Sequence, residues 1–228
     1  MKLGIAVLAA GQGTRMKSNL PKVLHHLAGR PLLRHVLDTA QELGAANICV
    51  VQGHGDGQVS EALAEIDCDW VTQLERHGTG HALIQAMPKL RGMDRVLVLY
   101  GDIPLIRAET LRQLIATAAN ASLGILTATL ADPSGYGRLV RVHDGRVRGI
   151  VEAKDASEAE LAIKEINTGF LVADRSSLVN WLSRLNNHNA QSEYYLTDVV
   201  ALAVAEGQTI VTCKADREEE ILGINDRL

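Results

Sequence analysis

Aromatic rings are scarce in this 228-residue chain, which has one Phe, two Trp and four Tyr and a net charge of −4. Nucleic-acid binding draws on stacking rings and a basic face, so this composition is a poor basis for it. Cysteine is scarce too. Cys49, Cys68 and Cys213 are odd in number and widely spaced, which argues against a disulfide framework or a zinc knuckle and fits a reducing cytoplasm. Cys49 and Cys213 lie in apolar, strand-like runs, where packing is the default role. No apolar run approaches the roughly 18 residues of a membrane span. The opening stretch has Lys2 as its only early charge and runs straight into Gly11-Gln12-Gly13-Thr14-Arg15, so it reads as a buried strand rather than a secretory signal. No internal repeat is present, including the hexapeptide repeat that builds a parallel β-helix.

One local absence carries more information. Residues 1–37 contain no Asp or Glu, yet they hold Lys2, Arg15, Lys17, Lys22, Arg30 and Arg34. In a mildly acidic chain, such a segment is a local positive field suited to a compact anionic ligand. The alternative is a solvated basic face, which the neighbouring glycines and proline weaken.

What is present is a chain 46% hydrophobic, long enough for a well-buried core. Apolar, β-branched runs at 3–9, 47–52, 95–100 and 123–130 read as strands. They alternate with helical patterns at 31–43, 79–90 and 107–119, the first opening on Pro31 and closing at Gly44. This order predicts an α/β fold with a mostly parallel sheet. After residue 135 the rhythm changes: runs at 139–143 and 146–151 flank Asp144-Gly145, a hairpin signal. A polar stretch at 153–162 precedes a strand near 165–173, and helices are expected at 175–186 and 197–206. Residues 135–170 read as a lobe beside the sheet within a single domain spanning 1–228.

The sharpest feature is Leu8-Ala9-Ala10-Gly11-Gln12-Gly13-Thr14-Arg15-Met16 after the first strand, followed by Leu20-Pro21-Lys22. Glycines at a strand's carboxyl end let the backbone approach a ligand and aim N–H groups at phosphate oxygens. Arg15 and Lys22 add charge, and Ala9 and Ala10 leave room for a flat ring. A dinucleotide fingerprint fails because position 16 is Met and the second strand ends in Gln52-Gly53 rather than an acid. A P-loop fails because Met16 replaces its second glycine. A structural turn is the remaining alternative. Asp102 follows an apolar strand and precedes Pro104, which places it where open α/β sheets bind ligands, or else at the cap of the next helix. His77 and His81 have i,i+4 spacing, but Gly78 and Gly80 between them disfavour a helical zinc site.

Taken together, that loop, Gln73 with Gly78-Thr79-Gly80-His81-Ala82, Leu99-Tyr100-Gly101-Asp102-Ile103-Pro104-Leu105, Gly135-Tyr136-Gly137-Arg138, Ile150-Val151-Glu152, Glu165-Ile166-Asn167-Thr168-Gly169, Glu193-Tyr194-Tyr195-Leu196-Thr197-Asp198 and Gly223-Ile224-Asn225-Asp226-Arg227 resemble sugar-nucleotide pyrophosphorylases. In combination they are similar to the uridyltransferase domain of the bacterial bifunctional N-acetylglucosamine-1-phosphate uridyltransferase/glucosamine-1-phosphate acetyltransferases. The likeness covers essentially the whole chain. It implies a Rossmann-like nucleotide-diphospho-sugar transferase fold, a mostly parallel mixed sheet flanked by helices, with 135–170 as a small β-rich sugar-binding lobe.

The resemblance also implies roles. Leu8, Ala9, Ala10, Gly11, Gly13 and Thr14 match the nucleotide loop, and Gln73, Gly78 and Thr79 the uracil-reading positions. Tyr100, Gly101, Asp102, Gly137, Glu152, Asn167 and Asn225 match the sugar site. Asp102 and Asn225 are the implied Mg²⁺ ligands, and Arg15 and Lys22 the catalytic cations. The substrates implied are UTP and N-acetylglucosamine 1-phosphate, with no nucleic acid, membrane or obligate protein partner. The family continues into an acetyltransferase β-helix, whereas this chain stops at Leu228, so acetyl transfer, coenzyme A binding and trimerisation are not carried over. A truncated bifunctional enzyme or a single-function homologue is expected. Three rivals stay open: a pyrophosphorylase for another base or sugar, a non-catalytic nucleotide-binding module, and a dehydrogenase.

Overall fold

The computed structural model describes residues 1–11, 13–53 and 57–226; Gln12 and Arg227, quoted above, lie outside them, and Thr14 is described by its backbone alone. In chain order the elements are β1 (Leu3–Ala9), a short hairpin of β2 (His26–Leu27) and β3 (Arg30–Pro31), α1 (Leu32–Glu42), β4 (Asn47–Gly53), α2 (Gly57–Ala62), β5 (Asp69–Gln73), α3 (Thr79–Ala86), β6 (Arg95–Tyr100) and α4 (Ala108–Thr117). There follow β7 (Leu123–Thr129), β8 (Arg138–Arg141), β9 (Val147–Val151), α5 (Glu158–Leu161), β10 (Glu165–Asp174), α6 (Arg175–Leu182), α7 (Asp198–Ala205) and β11 (Ile210–Lys214).

The main sheet runs β11-β7-β10-β6-β1-β4-β5, with β8 and β9 attached at its flank. β1 pairs in parallel with β4 and β6, and β4 with β5. β10 alone runs against its neighbours on the main path, antiparallel to both β6 and β7. The mixed, mostly parallel sheet is therefore reached by one reversed strand that returns the chain from the β8–β9 hairpin. That hairpin turns at Gly145, whose φ of +85° is the left-handed conformation the Asp-Gly pair supplies.

Both faces of the sheet are buried, which is why its strands read as continuous apolar runs. Along β1, Ile5, Val7 and Ala9 face a core shared with Leu33, Val36 and Leu37 of α1 and Leu111 and Leu114 of α4. Ala6 and Leu8 face the opposite core, with Leu83 and Ala86 of α3, Trp181 of α6 and Val199 and Ala203 of α7. Each fully buried aliphatic side chain contributes roughly 1.5–3 kcal/mol relative to exposure. α1 starts after Pro31, which caps it, and the following Gly44 has φ +65°. Cys49 and Cys213 are buried in β4 and β11, as packing residues should be. No helix among the described residues is long and apolar enough to cross a membrane.

Strand order reverses at β1: the chain leaves it toward β4 and β5, then returns to place β6 on its other side. The crevice beyond the carboxyl ends of β1 and β6 is where open α/β sheets take ligands. Leu8 and Tyr100 are register partners there, and the Gly101 N–H donates to the Leu8 carbonyl at 2.9 Å.

Candidate active site

The glycine-rich loop leaves β1 with Leu8, Ala9 and Ala10 still buried and Gly11 exposed. Gly13 has φ +58°, and a Cβ there would lie 2.6 Å from Lys22 Cβ. Thr14–Met16 form one tight turn, closed by the Met16 N–H on the Gly13 carbonyl at 2.8 Å. Met16 is 2% exposed, so the residue that breaks both familiar phosphate-loop patterns is an anchor turned into the core.

Lys22 is 8% exposed and ends beneath this loop. Its ammonium donates to Asp102 Oδ2 at 2.5 Å and to Asn225 Oδ1 at 2.8 Å. Arg15 Nη2 reaches the same Asn225 oxygen at 3.0 Å. Asp102 follows β6 and is no helix cap, since α4 is capped by Arg107. Asn225 arrives from the far end of the chain: Thr110 Oγ1 holds buried Glu220 at 2.5 Å, and the Ile224 N–H donates to the Asp102 carbonyl at 2.9 Å. Two cations and two oxygen ligands thus converge at the switch point. The positive field expected over residues 1–37 is narrower than the sequence implied, because Arg30 and Arg34 both bond Asp38 at 2.7 Å and Arg34 also bonds Glu65.

A cavity of about 480 Å³ opens beside this cluster, lined by Leu8, Ala9, Ala10, Gly11, Gln73, Gly78, Thr79 and Ala82 and reaching Tyr100 and Asp102. Its far wall is a clasp. Gly78 has φ +100°, and a Cβ on it would lie 2.7 Å from the Tyr194 carbonyl oxygen. The Gly80 N–H donates to that oxygen at 2.8 Å, the Tyr194 N–H to the His77 carbonyl at 2.7 Å, and the Leu196 N–H to Thr79 Oγ1 at 3.1 Å. Gln73, 3% exposed, donates from Nε2 to the Gly78 carbonyl.

A second group adjoins Tyr100. Gly169, at φ +92°, packs so closely on the tyrosine ring that a Cβ would lie 2.6 Å from it. Asn167 Oδ1 accepts the Gly169 N–H at 3.1 Å, while the Asn167 N–H donates to the Gly137 carbonyl at 2.9 Å. A Cβ on Gly137 would lie 3.3 Å from Glu152 Oε2, so the absent side chain leaves that oxygen uncovered on this side. Thr197 donates to the other oxygen, Oε1, at 2.9 Å. Burial pushes the Glu152 carboxyl up, against the Thr197 bond, which lowers it, and with a smaller push from Asp155. Burial, then Glu152, then Asp102 push the Tyr100 hydroxyl up. Gly101 lies below as floor, against Ala9, Leu33 and Val23.

The residues singled out in the sequence therefore fall into one continuous region around β1 and β6. Thr197, His81 beside Gln73 and the Glu193–Tyr194 clasp lie in motifs quoted for the resemblance, but sequence reasoning gave them no role of their own. The first two act through other side chains, and no spacing rule links them to their partners.

This crevice and sheet define a nucleotide-diphospho-sugar transferase fold. A solved UDP-glucose pyrophosphorylase, complexed with UDP-glucose, matches with a TM-score of 0.75 over 97% of this chain and 94% of its own, at 20% identity. A nucleotidyl transferase from Methanothermobacter thermautotroptrophicus matches with a TM-score of 0.67 over 99% of this chain and 92% of its own, at 22% identity. The chain belongs to the family of the MobA-like NTP transferase domain, which matches residues 5–166. It is similar to the bifunctional protein GlmU of Idiomarina loihiensis, 51% identical over 100% of this chain and 50% of that protein. GlmU of Thiobacillus denitrificans is 55% identical over 99% of this chain and 49% of its own length, and that of Pseudomonas putida 54% over 100% and 50%. The chain spans about half the length of these relatives.

Proposed function

We propose that this chain transfers UMP from UTP to N-acetylglucosamine 1-phosphate, releasing pyrophosphate and forming UDP-N-acetylglucosamine. The observation that carries this is the convergence of Arg15, Lys22, Asp102 and Asn225 on one point beside the cavity. Similarity over the whole of this chain to about half of the GlmU proteins supports the choice of base and sugar. Leu8, Ala9, Ala10, Gly11, Gly13 and Thr14 would receive the nucleotide, and Gln73, Gly78 and Thr79 its uracil. Tyr100, Gly101, Gly137, Glu152 and Asn167 would receive the sugar. Glu152 offers an acceptor to a sugar hydroxyl or amide, which suits a neutral ring that needs directional partners.

The acceptor's phosphate oxygen attacks the α-phosphorus in line, forming one P–O bond as the bond to pyrophosphate breaks. The attacking phosphate is already ionised at neutral pH, so no general base is required. Catalysis comes from alignment and charge stabilisation. Lys22 neutralises the reacting phosphates, and Arg15 with the loop amides holds the departing pyrophosphate. Asp102 Oδ2 and Asn225 Oδ1 already share one cation, the Lys22 ammonium, so their donor set and direction fit a hard divalent ion. We assign Mg²⁺ to this pair; when bound, it supplies Lewis-acid polarisation of the phosphate oxygens.

Paired assays of each nucleoside triphosphate with several sugar 1-phosphates test the reading. Turnover of UTP with N-acetylglucosamine 1-phosphate is expected to exceed the rest, and its absence would reject the assignment. Preference for a different pair would place the chain with another pyrophosphorylase specificity. Tight UTP binding without pyrophosphate release would favour a regulatory module.

A further inference from the structure

Gln73 has committed one end of its amide. Nε2 lies 3.2 Å from the Gly78 carbonyl oxygen and 2.9 Å from His81 Nδ1. A carbonyl oxygen only accepts, so the amide nitrogen must face it; the reversed amide would set two oxygens against each other. Both Nε2 hydrogens are then in use, one on Gly78 and one on His81. His81 Nδ1 must therefore be bare, with the ring proton on Nε2; Gln85 Nε2, 3.3 Å away, is itself a donor, so the Gln85 amide must turn its oxygen to this proton. Burial first, then the neighbouring His77, lower the His81 pKa, against a backbone hydrogen bond and the charge of Glu75, which raise it. What remains for a ligand is Oε1, an acceptor, to which no group among the described residues donates.

We infer that His81 is a specificity-determining positioning residue: by taking one Gln73 N–H, it leaves the amide offering only an acceptor to the bound base. This rests on the cavity being the pocket for the base of UTP. An acceptor beside the main-chain donors at the start of α3 matches the alternating N–H and C=O edge of an imide, as in uracil. Cytosine presents a bare ring nitrogen where uracil has N–H, and an amino group where uracil has a carbonyl. It would set acceptor against acceptor and donor against donor.

Calorimetry of UTP and CTP binding to the full chain tests this with His81→Leu and His81→Asn. His81→Leu leaves the amide held by the Gly78 carbonyl alone and its second N–H unclaimed, and is expected to narrow the UTP-to-CTP affinity ratio by roughly tenfold or more, the worth of one hydrogen bond. His81→Asn, whose side-chain oxygen can stand near the lost Nδ1, is expected to restore most of the ratio. An unchanged ratio in folded His81→Leu protein would overturn the role of His81. Nitrogen-15 NMR of the unsubstituted protein at neutral pH needs no variant: a bare Nδ1 and protonated Nε2 are expected, and the opposite tautomer overturns the inference. Failure of the unsubstituted protein to bind UTP would overturn the base-pocket reading itself, and it shows before any substitution is made.

Discussion

Lys22 Nζ sits 2.5 Å from Asp102 Oδ2, joining the glycine-rich loop to the tip of β6, with the lysine side chain 9% exposed and the aspartate 27%. The pair fastens two segments 80 residues apart while holding a positive and a negative group at the same point of the crevice. Lys22→Met keeps the stem and removes the charge. It should lower unfolding free energy by about 1–3 kcal/mol, since a charge-assisted bond to a partly buried carboxylate is lost. Transfer should fall at least about a hundredfold. Denaturant melts beside single-turnover rates check both, and a double cycle with Asp102→Asn isolates their coupling.

Arg15 is exposed, and its guanidinium donates to Asn225. Arg15→Ala should leave the melting temperature within about a degree or two, as surface polar contacts are worth little. Transition-state stabilisation should drop by about 2–4 kcal/mol. Unchanged turnover would remove Arg15 from the mechanism.

Gly13 is constrained twice, by φ +58° and by Lys22 Cβ at 2.6 Å from where its own Cβ would stand. Gly13→Ala should therefore cost about 1–3 kcal/mol of stability and move Lys22 off Asp102. Nucleotide titration should show weakened binding. Gly149→Ala, which meets nothing within 4 Å and lies outside the loop, serves as the control.

The parts of the fold that were legible in the sequence are those whose burial is two-sided. β1 and β6 match their apolar runs residue for residue, and β7 ends one residue earlier than expected. Pro31 and Gly44 bracket α1, and Asp144-Gly145 marks the β8–β9 turn. β5 went unread because Asp69–Gln73 is a half-exposed edge strand with polar residues, so it lacks an apolar run. α2 and the β2–β3 hairpin were not assigned either, being short or only partly buried, while β11 showed only as the strand-like run around Cys213. Helices α3 and α6 stop at Ala86 and Leu182, four residues short of their expected ends.

Within the site, the glycine loop announced itself through residue type, whereas Asn225 was named only through the resemblance. Its partner Lys22 is 203 residues away, and a lone Asn carries no local signature of that contact. The His77–His81 pair drew notice for its spacing, yet the rings meet edge to face at 5.2 Å and His81 spends its Nδ1 on Gln73.

Glu152 gives a pH-dependent prediction. Its folded-state pKa lies above the ordinary carboxylate value, chiefly through burial, so the native state holds the proton more tightly than the unfolded chain. Stability then declines as pH rises through that interval, because the ionised form is disfavoured in the folded protein. Glu152→Gln should raise the melting temperature at neutral pH. The gain should vanish below pH ~4, where both states are protonated. The same variant should weaken binding of N-acetylglucosamine 1-phosphate.

Burial pushes the Cys49 thiol up to about 12 and that of Cys68 up to about 11, and raises Cys213 as well. The thiolate is the reactive form, so alkylation at pH ~8 should be slow by orders of magnitude in the native protein. Denaturant should release three fast-reacting thiols; rapid labelling of native Cys49 would contradict its burial in β4.

The clasp of Tyr194 on Gly78 and Gly80, together with the late arrival of Asn225, has a bearing on biosynthesis. A nascent chain emerging from the ribosome completes β1 and its loop first, yet it lacks the far wall and one oxygen ligand until Tyr194 and Asn225 have followed. Cellular nucleotide cannot rescue a partly made chain, so early segments depend on their own packing to survive until synthesis ends.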